Sequence, residues 1–291
     1  CPGPQGPGSG RHTVRTQADA VGLRAELARP GARLVVIGAG FIGCEIAATA
    51  RGLGVTEVTV VDPEPLPMLR PLGELLATAL FERHRARGVR FALGQGVVGI
   101  EGEDRVSGVV LTDGTVLPAD VVVEAVGSIA NTEWLEGNGL DLSDGVLCDE
   151  QLRVQGLPHV VAVGDVARFP NARYDGVPRR VEHWSIPGDT AKHASRTLLA
   201  GLGGTPVETP PFAPLPSFWS DQYEYRLQSF GAPALGTADA RVLDGDPDGD
   251  LLVGFHAQDR LVGVVALGGP SAVAAAARYR ARLMAPPAEA A

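Results

Sequence analysis

The sequence predicts an α/β fold with a second, smaller α+β domain toward its C-terminal end. Residues 33–62 follow the order strand, glycine turn, helix, strand, which is the unit that builds a parallel sheet. From residue 217 onward, strand-like runs alternate with turn residues and are followed by a helix rich in Ala and Arg. The chain has 291 residues, of which 45% are hydrophobic, so it has room for roughly two domains with buried cores.

The most informative pattern is the glycine turn inside this unit. Gly38, Gly40 and Gly43 have the G-x-G-x-x-G spacing, and Asp62 ends the following strand. In such units the glycines permit the tight turn, the approach of a pyrophosphate and the close packing of the helix. We therefore predict a dinucleotide site in which Asp62 accepts hydrogen bonds from the adenosine ribose. The alternative for Asp62 is a solvated acid at a strand end, and a lone glycine motif can be only a tight turn.

Two amphipathic helices flank the unit. Apolar residues at helical spacing predict a helix over residues 16–29, capped by Thr16 or Asp19, and another over residues 72–87 that ends at Gly88.

Short strands complete the first domain. They are predicted at residues 89–93, 97–102, 106–114 and 115–127. Asp113 and Gly114 predict a hairpin turn, because both central positions of such a turn favour positive φ. These elements together predict one self-contained domain over residues 17–136.

The next segment, residues 140–201, has a different character. It contains one apolar strand, predicted over His159–Asp165, and one helix, predicted over Gly188–Ala200. One strand and one helix cannot form a stable layered domain by themselves, so this segment needs sheet partners from elsewhere. A Pro-rich linker is predicted over residues 205–216.

Charge and cysteine content exclude several classes of function. The net charge of −9 argues against nucleic-acid binding. A local basic patch of Arg173, Arg179 and Arg180 could receive an acidic protein, although three arginines are more often just a solvated surface.

The cysteines and the chain start allow further expectations. The three cysteines, Cys1, Cys44 and Cys148, form no C-x-x-C pair, which argues against a dithiol redox motif or a cysteine-ligated metal and favours a cytoplasmic protein. Cys44 is either a thiol activated by the helix N-terminus or an inert core thiol. No signal peptide or membrane-spanning stretch is predicted. Because the sequence starts with Cys1 rather than Met, we expect a fragment or a processed product.

Several spaced motifs occur in one order along the chain: GAGFIGCE, the acid of VTVVD, AVGSIANTE, VVAVGDVARFP, VEHWS and PSFWSDQY. With these motifs the chain resembles the FAD-dependent, NADH-dependent ferredoxin reductases, the family that includes putidaredoxin and rubredoxin reductases. The resemblance covers almost the whole chain. It implies a Rossmann-like NAD-binding domain inserted in an FAD-binding domain that is incomplete here, followed by a small α+β C-terminal reductase domain.

The resemblance also implies site residues. The NADH site comprises Gly38, Ala39, Gly40, Phe41, Ile42, Gly43 and Asp62, with Glu45, the candidate catalytic residue, near the nicotinamide and Gly127 where NADH approaches the flavin. The FAD contacts are Arg15, Asp165 and Trp184. Without the resemblance, Asp165 could equally cap the following loop, and Trp184 and Trp219 could be core aromatics. The sequence departs from the family pattern at Ala130, where proline is usual, and at Ile186, Pro187 and Thr190, near the flavin.

The implied activity is transfer of hydride from NADH to FAD, and then of electrons to a ferredoxin-type iron–sulfur protein. NADH is favoured over NADPH because Asp62 and Glu64 have no arginine nearby until Arg70.

The family's N-terminal segment, with a first glycine motif for FAD, is not in the sequence. The implied division is a loop remnant of the FAD domain (1–16), the NAD(H)-binding domain (17–136), the C-terminal part of the FAD domain (137–204), a linker (205–216) and the reductase domain (217–291). One alternative is a truncated NADH-binding module without flavin or turnover, and another is a separate chain that supplies the FAD-binding segment.

Overall fold

The computed structural model describes residues 8–204 and 210–285. The first seven residues of the predicted N-terminal loop and residues 205–209 of the predicted linker lie outside the described residues. The first part of the chain contains β1 (Arg11–His12), α1 (Gln17–Leu27), β2 (Arg33–Ile37), α2 (Phe41–Gly52), β3 (Glu57–Asp62), α3 (Leu69–Ala86), β4 (Val89–Leu93), β5 (Val97–Gly102), β6 (Val106–Leu111), β7 (Val116–Pro118) and β8 (Val121–Glu124). The rest contains β9 (Val146–Leu147), β10 (Ala167–Phe169), β11 (Arg179–Arg180), α4 (Ile186–Gly203), β12 (Ser217–Gln222), β13 (Tyr225–Gly231), β14 (Ala240–Gly245), β15 (Leu251–Ala257), β16 (Arg260–Gly268), α5 (Pro270–Arg278) and α6 (Arg280–Met284).

A five-stranded parallel sheet forms the centre of the first domain, in the order β1-β8-β2-β3-β4. The predicted helix before it is confirmed as α1. The Thr16 hydroxyl accepts a hydrogen bond from the Asp19 amide, and the Asp19 carboxylate accepts one from the Thr16 amide, so the two residues form a capping box. The predicted second helix is confirmed as α3, which has a kink at Gly73, where φ is 70°.

A second sheet of β5, β6 and β7 covers one face of the parallel sheet, with Val109 and Leu111 packed against Val35 and Val122. The turn between β6 and β7 lies where it was predicted, but its geometry differs. Gly114 has a φ of 85°, whereas Asp113 does not have positive φ. Its carboxylate instead accepts a hydrogen bond from the Thr115 amide, which stabilises the turn without left-handed backbone.

The middle segment contradicts one predicted element. The run His159–Asp165 is not a strand, because only Val161 forms an isolated bridge, with Arg153. A strand needs a neighbouring backbone to accept its amides, and no strand among the described residues pairs along this run. Apolarity alone does not distinguish a paired strand from an extended segment. Val160 and Val163 are accordingly 45% and 42% exposed.

The C-terminal domain is an antiparallel five-stranded sheet in the order β12-β13-β16-β15-β14. One face is covered by α5 and α6, and the other packs on α3. The buried contact with α3 contains Leu72, Leu76, Leu80, Leu227, Val253 and Leu267. The C-terminal sheet therefore shares a core with the first domain, and this contact places β12 beside α2.

Buried histidines predict that acid destabilises the fold. Burial lowers the pKa of both His84 and His183 to about 4, from 6.5 in the unfolded chain. Below pH 6.5 the unfolded state therefore binds more protons, so stability is full above that pH and decreases as the pH falls toward 4, by up to about 3 kcal/mol for His84. Urea unfolding between pH 7 and pH 5 should show this decrease. His84→Gln should reduce the dependence, whereas His159→Gln, at an exposed position, should not.

Candidate functional site

The three glycines of the turn meet different surroundings. At Gly38 φ is 104°, and a Cβ atom there would lie 2.3 Å from the carbonyl oxygen of Ala125. At Gly43 a Cβ atom would lie 1.9 Å from the carbonyl oxygen of Gly38, whereas at Gly40 it would meet nothing within 4 Å. The first and third glycines are thus required by the protein's own packing. The second leaves open space beside the backbone at the start of α2, where an anionic group can approach the helix N-terminus.

Asp62 clamps this turn from the end of β3. One carboxylate oxygen accepts a hydrogen bond from the Ala39 amide at 2.6 Å, and the other accepts one from the Glu64 amide at 2.8 Å. The Met68 amide donates to the carbonyl oxygen of Ala39 at 3.0 Å. These contacts show that Asp62 is more than a solvated acid at a strand end, because it orients the backbone of the turn.

The carboxyl ends of three neighbouring strands bring the predicted NADH contacts to one edge of the sheet. Gly38 follows β2, Asp62 ends β3, and Gly127 follows β8, which pairs with β2. Gly127 has a φ of 92° and is exposed. Because the chain continues from β2 to β3 on one side while β8 lies on the other, this edge has the crevice in which open α/β sheets bind ligands.

Glu45, in the second turn of α2, faces the C-terminal domain. Its Oε1 atom accepts a hydrogen bond from the Ser220 hydroxyl at 2.5 Å. Burial raises the pKa of Glu45, and the nearby Asp221 raises it further, while the bond from Ser220 lowers it. One turn earlier, the ring of Phe41 packs edge-on against Phe218 of β12, with centroids 4.9 Å apart. The C-terminal sheet thus forms one wall beside the predicted nicotinamide site.

The three predicted flavin contacts are exposed. Arg15 precedes α1, Asp165 lies in a short 3₁₀ turn, and Trp184 lies just before α4 with 84% of its surface exposed. Trp184 is therefore not a core aromatic, and Trp219, at 46% exposure, is not one either. The N-cap residue of that turn is Val163 rather than Asp165, and the turn has no side-chain cap. No other described residue pairs with the side chains of these three residues, so they are available to a ligand.

Apolar side chains lie exposed in the loop after β8 and beside Asp165. Val126 and Ile129 follow β8 with 62% and 76% exposure, and Val163 precedes Asp165. Exposed apolar residues together with an arginine, a carboxylate and an indole fit the surface of a flavin dinucleotide.

Sequence reasoning missed the role of Thr190. Its hydroxyl accepts a hydrogen bond from the Gly164 amide at 2.9 Å and is fully buried. This hydrogen bond attaches the turn that contains Asp165 to helix α4. In the sequence, Thr190 stands out only as a departure from the family pattern.

The structure does not support the basic-patch interpretation of Arg173, Arg179 and Arg180. Arg173 donates to the carbonyl oxygens of Ala213, Leu283 and Met284, which ties the C-terminal helices to the middle segment. Arg179 pairs with Asp175, and Arg180 pairs with Asp144 and Glu182. Asp175 and Glu182 lie within four positions of their arginines, whereas Asp144 lies 36 positions from Arg180, and these acidic side chains offset the charges of Arg179 and Arg180.

Cys44 is confirmed as a core thiol. It is fully buried, and burial raises its pKa. The helix N-terminus therefore does not activate it. No helix in the described part of the chain is long and apolar enough to cross a bilayer.

Relatives of known function are similar over most of the chain. A ferredoxin reductase subunit of the 5,5'-dehydrodivanillate O-demethylase from Sphingobium sp. is 37% identical over 249 residues, which are 85% of this chain and 57% of that protein. Rhodocoxin reductase from Rhodococcus erythropolis is 36% identical over 90% of this chain and 58% of its own length. The chain thus spans less than two thirds of the length of these relatives.

Solved structures show the same fold. A ferredoxin reductase from Rhodopseudomonas palustris superposes with a TM-score of 0.79 at 33% identity, over 89% of this chain and 62% of that one. Putidaredoxin reductase, in a covalent complex with putidaredoxin, gives 0.81 at 31% identity, over 93% of this chain and 63% of that one.

Family profiles match both parts of the chain. Residues 217–291 match the profile described as Reductase C-terminal. Residues 1–188 match the profile described as Pyridine nucleotide-disulphide oxidoreductase. That match covers more than half of the 291 residues, so the chain belongs to the pyridine nucleotide-disulphide oxidoreductase family.

Proposed function

We propose that the chain is the NADH-binding and reductase part of an FAD-dependent oxidoreductase that passes electrons from NADH to a ferredoxin-type iron–sulfur protein. The observation that carries this proposal is the glycine turn, in which packing requires Gly38 and Gly43 while the space at Gly40 is open. The relatives support it, since their names describe ferredoxin, rhodocoxin and putidaredoxin reductases.

The NADH site is assigned to the edge of the parallel sheet. The amides at the start of α2 hold the pyrophosphate, and Gly38, Ala39, Gly40, Phe41, Ile42 and Gly43 line its path. Asp62 holds both the turn and the adenosine ribose. Glu45 and Gly127 border the nicotinamide, and the Phe41–Phe218 contact excludes water from one side.

FAD is assigned to the exposed side chains of Arg15, Asp165 and Trp184. FAD held by these residues would supply the chemistry that links a two-electron donor to a one-electron acceptor. The protein's share is to bind and orient both cofactors. No side chain of the site has to act as a nucleophile.

The predicted division of the chain is kept as part of this proposal, with an NAD(H)-binding domain at 17–136 and a reductase domain at 217–291. We also place the protein in the cytoplasm, where Cys44 and Cys148 stay as the buried free thiols that the structure shows.

Binding of FAD and NADH tests the proposal. The full chain is titrated with FAD and with NADH by calorimetry, and NADH-dependent reduction of a [2Fe–2S] ferredoxin is followed by absorbance. We expect FAD binding that Trp184→Phe weakens and Trp134→Phe, at another exposed tryptophan, does not. A chain that binds NADH but neither FAD nor a separate flavin-binding partner would support the truncated-module alternative.

The preference for NADH should depend on Glu64. Arg70 is 81% exposed, but Glu64 pairs with it, so its charge is not free to attract a 2′-phosphate. Glu64→Gln should therefore increase NADPH affinity about tenfold, since one charge-assisted contact is worth about 1.5 kcal/mol, and leave NADH affinity nearly unchanged. Calorimetric titration with both nucleotides measures this. Glu82→Gln, which breaks an exposed pair with Arg85 on α3, is the control, and an equal effect there would contradict the assignment.

A further inference from the structure

A continuous row of hydrogen bonds leads from Glu45 through the C-terminal sheet to α3. Ser220 Oγ lies 2.5 Å from Glu45 Oε1, and Gln222 Nε2 lies 3.0 Å from Ser220 Oγ. Beyond Gln222, its Oε1 lies 2.8 Å from His84 Nε2, and His84 Nδ1 lies 3.0 Å from the Tyr223 hydroxyl. Ser220, Gln222 and His84 are at most 1% exposed, so these groups depend on one another for their hydrogen bonds.

With Glu45 ionised, the available donors and acceptors fix the direction of every bond in this row. An ionised Glu45 only accepts, so the single hydroxyl proton of Ser220 points to it. Gln222 must then donate to Ser220 through its NH₂ group, which turns its carbonyl oxygen toward His84. His84 must therefore carry its proton on Nε2. The remaining nitrogen, Nδ1, has a lone pair and accepts from Tyr223.

The surroundings support this arrangement. Burial lowers the pKa of His84 to about 4, with the bond to Gln222 opposing and the nearby Arg87 adding to the effect, so the imidazole is neutral at neutral pH. Asp221 and burial both disfavour a charged Glu45, and the Ser220 bond opposes them. The row of hydrogen-bond donors thus ends on Glu45, whose charged form burial and Asp221 disfavour.

We propose that Tyr223, His84, Gln222 and Ser220 form a positioning chain that holds the Glu45 carboxylate ionised and oriented beside the nicotinamide position. Its role toward NADH rests on the function proposed above. Aligned donors polarise one another, so each contributes to the bond that reaches Glu45. The row is not a path for protons, because the amide of Gln222 would have to change to an imidic acid to pass one.

The need of buried polar groups for hydrogen-bond partners does not by itself explain this row of hydrogen bonds. Ser229 and Tyr225 are also buried on the C-terminal sheet, yet their hydroxyl groups have no hydrogen-bond partner among the described residues. The sheet therefore tolerates unpaired hydroxyls of both types. These two residues supply matched controls for Ser220 and Tyr223.

Nuclear magnetic resonance of the full chain tests the row without any cofactor. Long-range ¹H–¹⁵N spectra should show His84 as the neutral Nε2–H tautomer at pH 7. In ¹³C-carboxyl titrations the pKa of Glu45 should rise in Ser220→Ala, rise less in Tyr223→Phe, and stay unchanged in Ser229→Ala and Tyr225→Phe. An Nδ1–H tautomer, or a Glu45 pKa that responds equally to Ser220→Ala and Ser229→Ala, would overturn the proposal.

NADH titrations link the row to the site. Ser220→Ala should weaken NADH binding about tenfold at neutral pH, because a Glu45 that is no longer held ionised and oriented loses its charged contact at the nicotinamide position, and Ser229→Ala should not. Equal affinities of these two variants would overturn the role toward NADH. If the unmodified chain binds no NADH, the proposed function fails, and the tautomer and the Glu45 titration still decide whether the row exists.

Discussion

Gly43→Ala should prevent the glycine turn from forming and abolish measurable NADH binding. The added Cβ atom would lie 1.9 Å from the carbonyl oxygen of Gly38, which is backbone and cannot move aside without opening the turn. We expect a loss of stability of about 3 kcal/mol or more, the upper range for overpacking, and a loss of NADH affinity of more than about a hundredfold. Urea unfolding and calorimetry measure the two effects.

Substitutions at two other glycines separate the effect on packing from the effect on NADH binding. Gly40→Ala meets nothing within 4 Å, so stability should change by less than about 0.5 kcal/mol, but the methyl group occupies the space assigned to the pyrophosphate and should weaken NADH binding. Gly52→Ala, at the far end of α2, should reduce neither the stability nor the NADH affinity. If Gly40→Ala binds NADH as tightly as the unmodified chain, the pyrophosphate does not lie on this turn.

Asp62→Ala should weaken NADH binding by about tenfold or more and relax the exclusion of NADPH. The substitution removes the acceptor of the ribose hydroxyls and also the carboxylate that orients the Ala39 amide, and bonds to a charged group are worth about 1.5–3 kcal/mol. Removing the negative charge lowers the repulsion of a 2′-phosphate. Affinities for NADH and NADPH, measured side by side, give the ratio that the prediction concerns.

The control for Asp62 lies on the same strand. Glu57, at the opposite end of β3, pairs with Arg90 on the surface, and Glu57→Gln removes the same charge far from the turn. Its NADH to NADPH ratio should equal that of the unmodified chain. An unchanged ratio in Asp62→Ala would refute the role given to Asp62.

Local patterns predicted the elements that local interactions determine. The capped helix α1 depends on residues within a few positions of one another, and the spacing of Gly38, Gly40 and Gly43 is also a local pattern. Both elements lie where the sequence places them, although Asp62 and Ala125 contact the glycine turn from farther along the chain. The strand over His159–Asp165 was wrong because strand formation depends on a distant partner, which periodicity does not reveal.

The contacts around Glu45 could not be predicted for the same reason. Ser220 is 175 positions from Glu45, and Gln222 is 138 positions from His84. Ser220 and Gln222 stood out in the sequence only as part of the motif PSFWSDQY. Their role becomes visible once the C-terminal sheet packs on α3 and brings β12 beside α2.

The exposure of the tryptophans has a practical consequence. The chain has three, Trp134, Trp184 and Trp219, and their exposed fractions are 74%, 84% and 46%. Indole rings that already contact water emit similarly in the folded and unfolded chain, so fluorescence will be a poor monitor of unfolding, which circular dichroism should follow instead. The same rings make fluorescence a sensitive monitor of association, because any molecule that covers Trp184 changes the emission of a nearly bare indole.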